Sequence, residues 1–217
     1  MAINPDVIAR AGLELLAETG LDGLTMRLVA DRLGVRAPTL YWHVKNKQHL
    51  LDAMAAVMFA ESIEGLEAPW RAEPWPDWLA ARARNLRRVL LRYRDGARVF
   101  AGTNLAGPEL PRVMELTLRT LLDVGHTLPD AARGVAALLH YTVGHTIEEQ
   151  ARLGAEYGEQ SPYRPERLTE TFDPARHPLA ARVATEVLRD PDADFEHGLA
   201  LLLTGMAARL TQGENRP

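Results

Sequence analysis

Among the 217 residues there is no cysteine, so neither disulfides nor thiolate metal sites are available. That absence suits a reducing cytoplasm. The N-terminus has no basic segment followed by an apolar run, and no apolar stretch is long enough to span a bilayer. We therefore expect a cytoplasmic protein with no membrane partner; the run Leu199–Leu203 reads as a core helix. Nothing alternates with period two over a useful length, which predicts no strands, and no internal repeat is visible. A Gly-x-Ser-x-Gly elbow, a phosphate-cradling glycine loop and a metal-ligand pair on one helix face are all missing. His140, His145, Glu148 and Glu149 lie near one another along the chain, at a spacing that fits no standard metal helix. These absences argue against an enzyme and against a resident metal or cofactor. Net charge is −4, so overall charge does not advertise nucleic-acid binding either.

What the chain does have is helical pattern. Its mass of 24.0 kDa allows one sizeable core, or a small domain plus a medium one. Hydrophobic residues at 47% and charged ones at 25% are ordinary for a globular protein, so the information lies in their placement. Asn4 followed by Pro5 opens a first helix, whose inner stripe is Ile8, Ala11, Leu15 and Leu16 and which Thr19-Gly20 should stop. Thr25 can cap a second helix with Val29 and Leu33 on one face. Gly34 then stands where a helix ends in a left-handed conformation. Pro38 is tolerable only in a first turn, so a third helix starts near Arg36–Ala37. Leu40 and Val44 point inward on it. Thr39, Tyr41, Trp42 and His43 are left mostly outside, with Lys45 and Lys47 at the end. Two short helices with a tight turn, the second exposing aromatic, hydroxyl and basic groups, suit a probe for the DNA major groove. An ordinary helical corner is the other reading of the same pattern. Residues 1–47 carry six basic against five acidic groups, so a DNA surface must come from placing Arg27, Arg36, Lys45 and Lys47 on one side.

Further along, helices are expected at about 47–63, 77–93, 109–124, 129–155, 179–189 and 194–211. A loop containing Pro69, Pro74 and Pro76 precedes the second of these, and Arg94-Asp95-Gly96 with a short turn around Val99 and Phe100 follows it. Gly102–Pro108 reads as another loop, Gly125 as a break, and Gly158–Pro178 as a long connector. The helices at 129–155 and 194–211 are apolar on more than one face, as expected of helices buried on two sides.

The wording of the chain carries a family resemblance. PTLYWHVKNK, preceded by GLTMR and LGV, resembles the DNA-binding domain of the tetracycline-repressor (TetR) family. LLRYRDGARVFAGT at Leu90–Thr103 and HYTVGHTIEEQ at His140–Gln150 resemble the core of its tetracycline-repressor branch, so the likeness covers nearly the whole chain. It implies an all-α fold: a three-helix helix-turn-helix DNA-binding domain over residues 1–46, then a larger effector-binding and dimerisation domain over 47–217. It also implies a homodimer joined through the helices near 129–155 and 194–211. Such a dimer sets two recognition helices about 34 Å apart on double-stranded operator DNA.

The resemblance further implies roles for single residues. Arg27 matches an arginine that reads a guanine through O6 and N7. Pro38 and Thr39 match positions touching base methyls and phosphate. Tyr41, Trp42, His43 and Lys47 match positions that anchor the DNA backbone, although an indole such as Trp42 can also be core. Thr25, Arg36 and Ala37 complete the DNA-facing set. Two of its members depart from the branch: Arg36 stands where an acidic residue is common, and Ala37 where a glutamine reads an adenine. In the regulatory half, Phe100 stands where tetracycline repressors place a histidine for the magnesium–drug complex. Ile63 and Arg82 replace the histidine and asparagine that grip the drug, and Asn104 and Leu105 replace an arginine and a proline. Thr103 and Glu148 match. The implied cavity is lined by Ile63, Arg82, Leu86, Phe100, Thr103, Asn104, Val113, Thr117, Leu121, Val135, His145 and Glu148. Such a lining suits a small, largely hydrophobic effector other than tetracycline–magnesium. Arg82 either meets an acidic group on that effector, pairs with Glu148, or faces solvent. A helical carrier or enzyme with a vestigial DNA-binding domain, and a repressor whose pocket is filled by its own side chains, remain as rival readings.

Overall fold

The computed structural model describes residues 3–69, 73–105, 107, 109–153, 162, 167, 170–186 and 190–213. Helices and turns account for them, and no strand occurs among the described residues. Helix α1 (Pro5–Gly23) begins where Asn4 accepts a hydrogen bond from the Val7 amide. Gly20, at φ 66° and ψ 176°, interrupts the helix where Thr19-Gly20 was expected to stop it, and one further helical turn follows through Gly23. In α2 (Met26–Arg32) the Thr25 hydroxyl caps the Leu28 amide at 3.3 Å. Gly34, at φ 66°, ends that helix. Its amide bonds back to Asp31 and that of Val35 to Ala30, the paired bonds of a glycine-terminated helix. Helix α3 (Ala37–Tyr41) carries Pro38 in its first turn.

Asn46 caps α4 (Lys47–Ser62) through the His49 amide, and α5 (Trp75–Arg92) follows. Helix α5 starts two residues before the expected Asp77, because Pro74 takes the cap position and Pro76 fits the first turn. Where the pattern suggested a bare turn, Gly96–Phe100 closes into the short helix α6. It follows Asp95 at φ 57° and packs so closely that a Cβ on Gly96 would collide with the Leu90 carbonyl. Gly125, at φ 101°, separates α7 (Glu109–Asp123) from α8 (Leu128–Leu153). The last two helices are α9 (Pro178–Glu186) and α10 (Pro191–Gly213). Residues 154–155, ten residues of the expected connector at 158–178 (158–161, 163–166 and 168–169), and residues 187–189 lie outside the described residues.

Two apolar clusters hold these helices. The first gathers Ile8, Leu16, Leu24, Val29, Leu40 and Val44 of the N-terminal helices with Leu50, Met54 and Met58 of α4 and Leu90 of α5. Fully burying each such side chain contributes on the order of 1.5–3 kcal/mol. The α1–α4 contact is close, since a Cβ on Gly12 would meet the Met54 sulfur at 2.8 Å. The second cluster joins Ile63, Trp78, Leu79, Leu121, Leu138, Phe195 and Leu199. Helix α4 therefore starts in one cluster and leads, at Ile63, into the other. Not every arginine of α5 faces outward. Arg87 forms a buried pair with Glu149 of α8, at 2.7 and 2.8 Å, and reaches Asp192 of α10 at 2.6 Å. No described helix is long and apolar enough to cross a membrane.

Candidate functional site

The outer surface of α2–α3 presents the residues expected to meet DNA. Arg27 is 89% exposed and only loosely paired with Asp31, at 3.9 Å. Trp42 is 89% exposed, which decides against the core reading of its indole, and Tyr41 is 48% exposed. Arg36 at the start of α3, Pro38 within it and His43 in the turn after it are exposed, while Ala37 and Thr39 of α3 are half-buried. Leu40 and Val44 are buried and hold these neighbours outward. Two members of the set also serve the fold. Thr25 spends a lone pair on its helix cap, and half-buried Lys47 donates to the Leu21 carbonyl at 3.0 Å.

A cavity of about 300 Å³ lies between α4, α5, α7 and α8. Each helix contributes one stripe: Phe59, Ser62 and Ile63 from α4; Leu79, Arg82, Ala83 and Leu86 from α5; Leu110, Val113, Met114, Thr117 and Leu118 from α7; and Ala132, Val135, Ala136, Leu138, Leu139 and Thr142 from α8. Spacings of three and four are those of single helix faces turned to a common space. The cavity is open space, not one closed by its own side chains.

Of the expected lining, Ile63, Arg82, Leu86, Val113, Thr117 and Val135 meet there. Six others do not. Phe100 is buried in the first apolar cluster and Leu121 in the second. The Thr103 hydroxyl donates to the Phe100 carbonyl, and the Asn104 amide donates to Asp52. His145 packs edge-on against Phe195 at 5.3 Å, and Glu148 is exposed. The sequence reading missed the other twelve lining residues, among them Ser62, Met114 and Thr142. The signal for Met114 was its place in the Leu110, Val113, Thr117 and Leu118 stripe of α7, at spacings of three and four.

The polar groups of the wall are few. The hydroxyls of Ser62, Thr117 and Thr142 donate to carbonyls of their own helices, at 2.7–2.8 Å. Arg82 does not pair with Glu148. Its Nε and Nη1 are buried without a protein hydrogen-bond partner. Burial pushes its guanidinium pKa down, while Glu73 acts through space in the opposite sense.

Between cavity and head, polar contacts connect the elements. Gln150 of α8 clamps the α5–α6 corner, accepting from the Ala97 amide and donating to the carbonyls of Leu90 and Tyr93. Asp95 of that corner accepts from the Leu21 amide at 2.8 Å, and Arg98 reaches Asp22 at 3.4 Å. The Arg98–Leu105 turn thus touches α1 and α4, and its residues do not line the cavity.

Residues 8–54 match the family described as "Bacterial regulatory proteins, tetR family", and residues 68–210 match "Tetracyclin repressor-like, C-terminal domain". The tetracycline repressor protein class C of Escherichia coli is 40% identical over 98% of this chain and 94% of its own. The crystal structure of a possible TetR family transcriptional regulator from Streptomyces coelicolor A3(2) superposes with a TM-score of 0.82 at 38% identity, covering 94% of this chain and 99% of that one. The Streptomyces coelicolor TetR family protein ActR, solved in complex with actinorhodin, superposes with a TM-score of 0.80 at 29% identity, covering 97% and 98%. With a helix-turn-helix head and a helical, cavity-bearing body both matched, the chain belongs to the TetR family of transcriptional regulators.

Proposed function

We propose that this regulator is a homodimeric repressor acting in the cytoplasm. It holds a palindromic operator until a small, largely hydrophobic molecule other than tetracycline–magnesium fills the cavity. Residues 1–46 form the DNA-reading head, and residues 47–217 bind the effector and dimerise. The observation that carries this reading is the position of α4, whose first turns pack under the head while Phe59, Ser62 and Ile63 form part of the cavity wall. A molecule in the cavity then acts on the far end of a rigid lever. Release requires that its affinity differ between the two spacings of the heads.

Arg27 reads a guanine, and the exposed Tyr41, Trp42 and His43 hold the sugar-phosphate backbone. Ala37 makes no base hydrogen bond, so the operator differs at that position from one read by glutamine. Among the described residues the cavity wall contains no histidine, aspartate or glutamate, so it offers a magnesium chelate no imidazole or carboxylate ligand. For dimerisation, α8 exposes Ala137 and Gly144 on a face turned away from the cavity, and α10 exposes Leu201, Thr204 and Gly205. Small residues let a second pair of helices approach closely. A carrier would use the same cavity, but it gives the exposed Trp42 no purpose.

The test is fluorescence anisotropy of the protein against tiled duplexes from the DNA flanking its gene, at several salt concentrations. Tight binding to one palindromic tile, lost in Arg27→Ala and unchanged by tetracycline with magnesium, is expected. Equal, weak binding to all tiles would refute the repressor reading.

A further inference from the structure

We infer that the effector is an anion: an apolar body with one carboxylate or similar deprotonated acid, which the Arg82 guanidinium holds at the α5 wall of the cavity. This rests on the reading of the cavity as an effector site and adds the charge of what enters it. Arg82 lies in the middle of the Leu79–Leu86 stripe, with apolar side chains before and after it on the same face. A guanidinium does not shed its proton in a protein, so its charge stays in that apolar surrounding. Its Nε and Nη1 have no protein acceptor. Glu73 acts on it only through space.

The other polar groups of the wall cannot replace this contact. Ser62, Thr117 and Thr142 spend their hydroxyl protons on their own helices, so toward a ligand they offer lone pairs, not donors. Arg82 is therefore the strong donor of the wall, and its unused Nε–H and Nη1–H each suit a charge-assisted hydrogen bond to a carboxylate oxygen. A neutral apolar ligand would leave the buried Nε–H and Nη1–H without an acceptor, whereas an anion both pairs with them and fills the apolar remainder. Charge, and not metal chelation, is what this cavity selects.

Two fluorescent probes sharing the phenylnaphthylamine body test the inference: 1-anilinonaphthalene-8-sulfonate, which is anionic, and N-phenyl-1-naphthylamine, which is neutral. Each is titrated into the full chain and into Arg82→Met, Arg82→Lys and Val113→Trp, with thermal unfolding confirming that every variant is folded. Arg82→Met is expected to weaken the sulfonate by about 10-fold or more while moving the neutral probe less than about 3-fold, the loss expected for a charge-assisted hydrogen-bond pair. Arg82→Lys should retain part of the preference, and Val113→Trp should exclude both probes from the cavity. Equal loss of both probes in Arg82→Met, no loss of either, sulfonate binding that survives Val113→Trp, or no binding to the parent chain would each overturn the inference. Operator binding measured on the same samples separates this from the repressor reading. A parent chain that takes the sulfonate through Arg82 yet binds no operator keeps the anion site and refutes only the repressor.

Discussion

Replacing Glu149 by leucine tests the buried polar link between α5, α8 and α10. Glu149 is 5% exposed and accepts two hydrogen bonds from Arg87, itself only 12% exposed in its side chain. Removing one partner of a buried ion pair costs on the order of 3–5 kcal/mol, because the remaining charge stays buried. Here Asp192 still accepts from Arg87 at 2.6 Å and, although 81% exposed, compensates in part. The loss should therefore fall near the lower bound, about 3 kcal/mol, which for a chain of this length lowers Tm by roughly 6–12 °C. Differential scanning calorimetry at one fixed protein concentration is the assay, since the Tm of any chain that associates depends on concentration. The double variant Arg87→Met/Glu149→Leu removes both charges and leaves a thioether against Phe195, over which Arg87 lies at 4.9 Å. It should recover to within about 2 kcal/mol of the parent. A single variant that shifts Tm by under about 2 °C would refute the burial argument. So would a double variant as unstable as the single one.

Three further outcomes follow from other parts of the molecule. Trp42→Ala removes an 89%-exposed side chain, so unfolding should change by less than about 0.5 kcal/mol while operator affinity falls roughly 5–30-fold in anisotropy titrations. Leu201→Glu places a charge on a 62%-exposed leucine of α10, and sedimentation velocity should show monomers; an unchanged dimer would remove α10 from the interface. Burial depresses the pKa values of His126 and His145 below the ordinary 6.5, so the folded state binds fewer protons than the unfolded one. The stability from keeping these rings neutral is complete above about pH 6.5 and is lost as pH falls toward their folded values. Tm should drop between pH 7.5 and 5.5, and His126→Leu/His145→Leu should flatten that drop; an unaltered slope would mean that neither ring is buried neutral.

The helix boundaries legible in the sequence are those governed by a few neighbouring residues. Asn4, Thr25 and Asn46 each cap the helix expected of them, and Gly34 and Gly125 each adopt the positive φ of a helix end. The all-α class, the buried faces of the head and the exposure of Tyr41 and Trp42 followed from periods of three and four. These features need only local geometry, which the order of residues already contains. The cavity does not. Its wall is drawn from residues 59 to 142 on four helices, and no spacing along one helix says which face meets which. Family likeness placed Phe100, Thr103, Asn104, Leu121, His145 and Glu148 beside it, yet the packing of α6 against α1 and α4, and of α8 against α10, turns them elsewhere. The same holds for charge. The sequence by itself determined that α5 carries a row of arginines. Only tertiary structure decided that Arg87 finds Glu149 across the core while Arg82 faces a cavity without a protein partner, because the approach of other helices sets which charges are solvated and which must be paired.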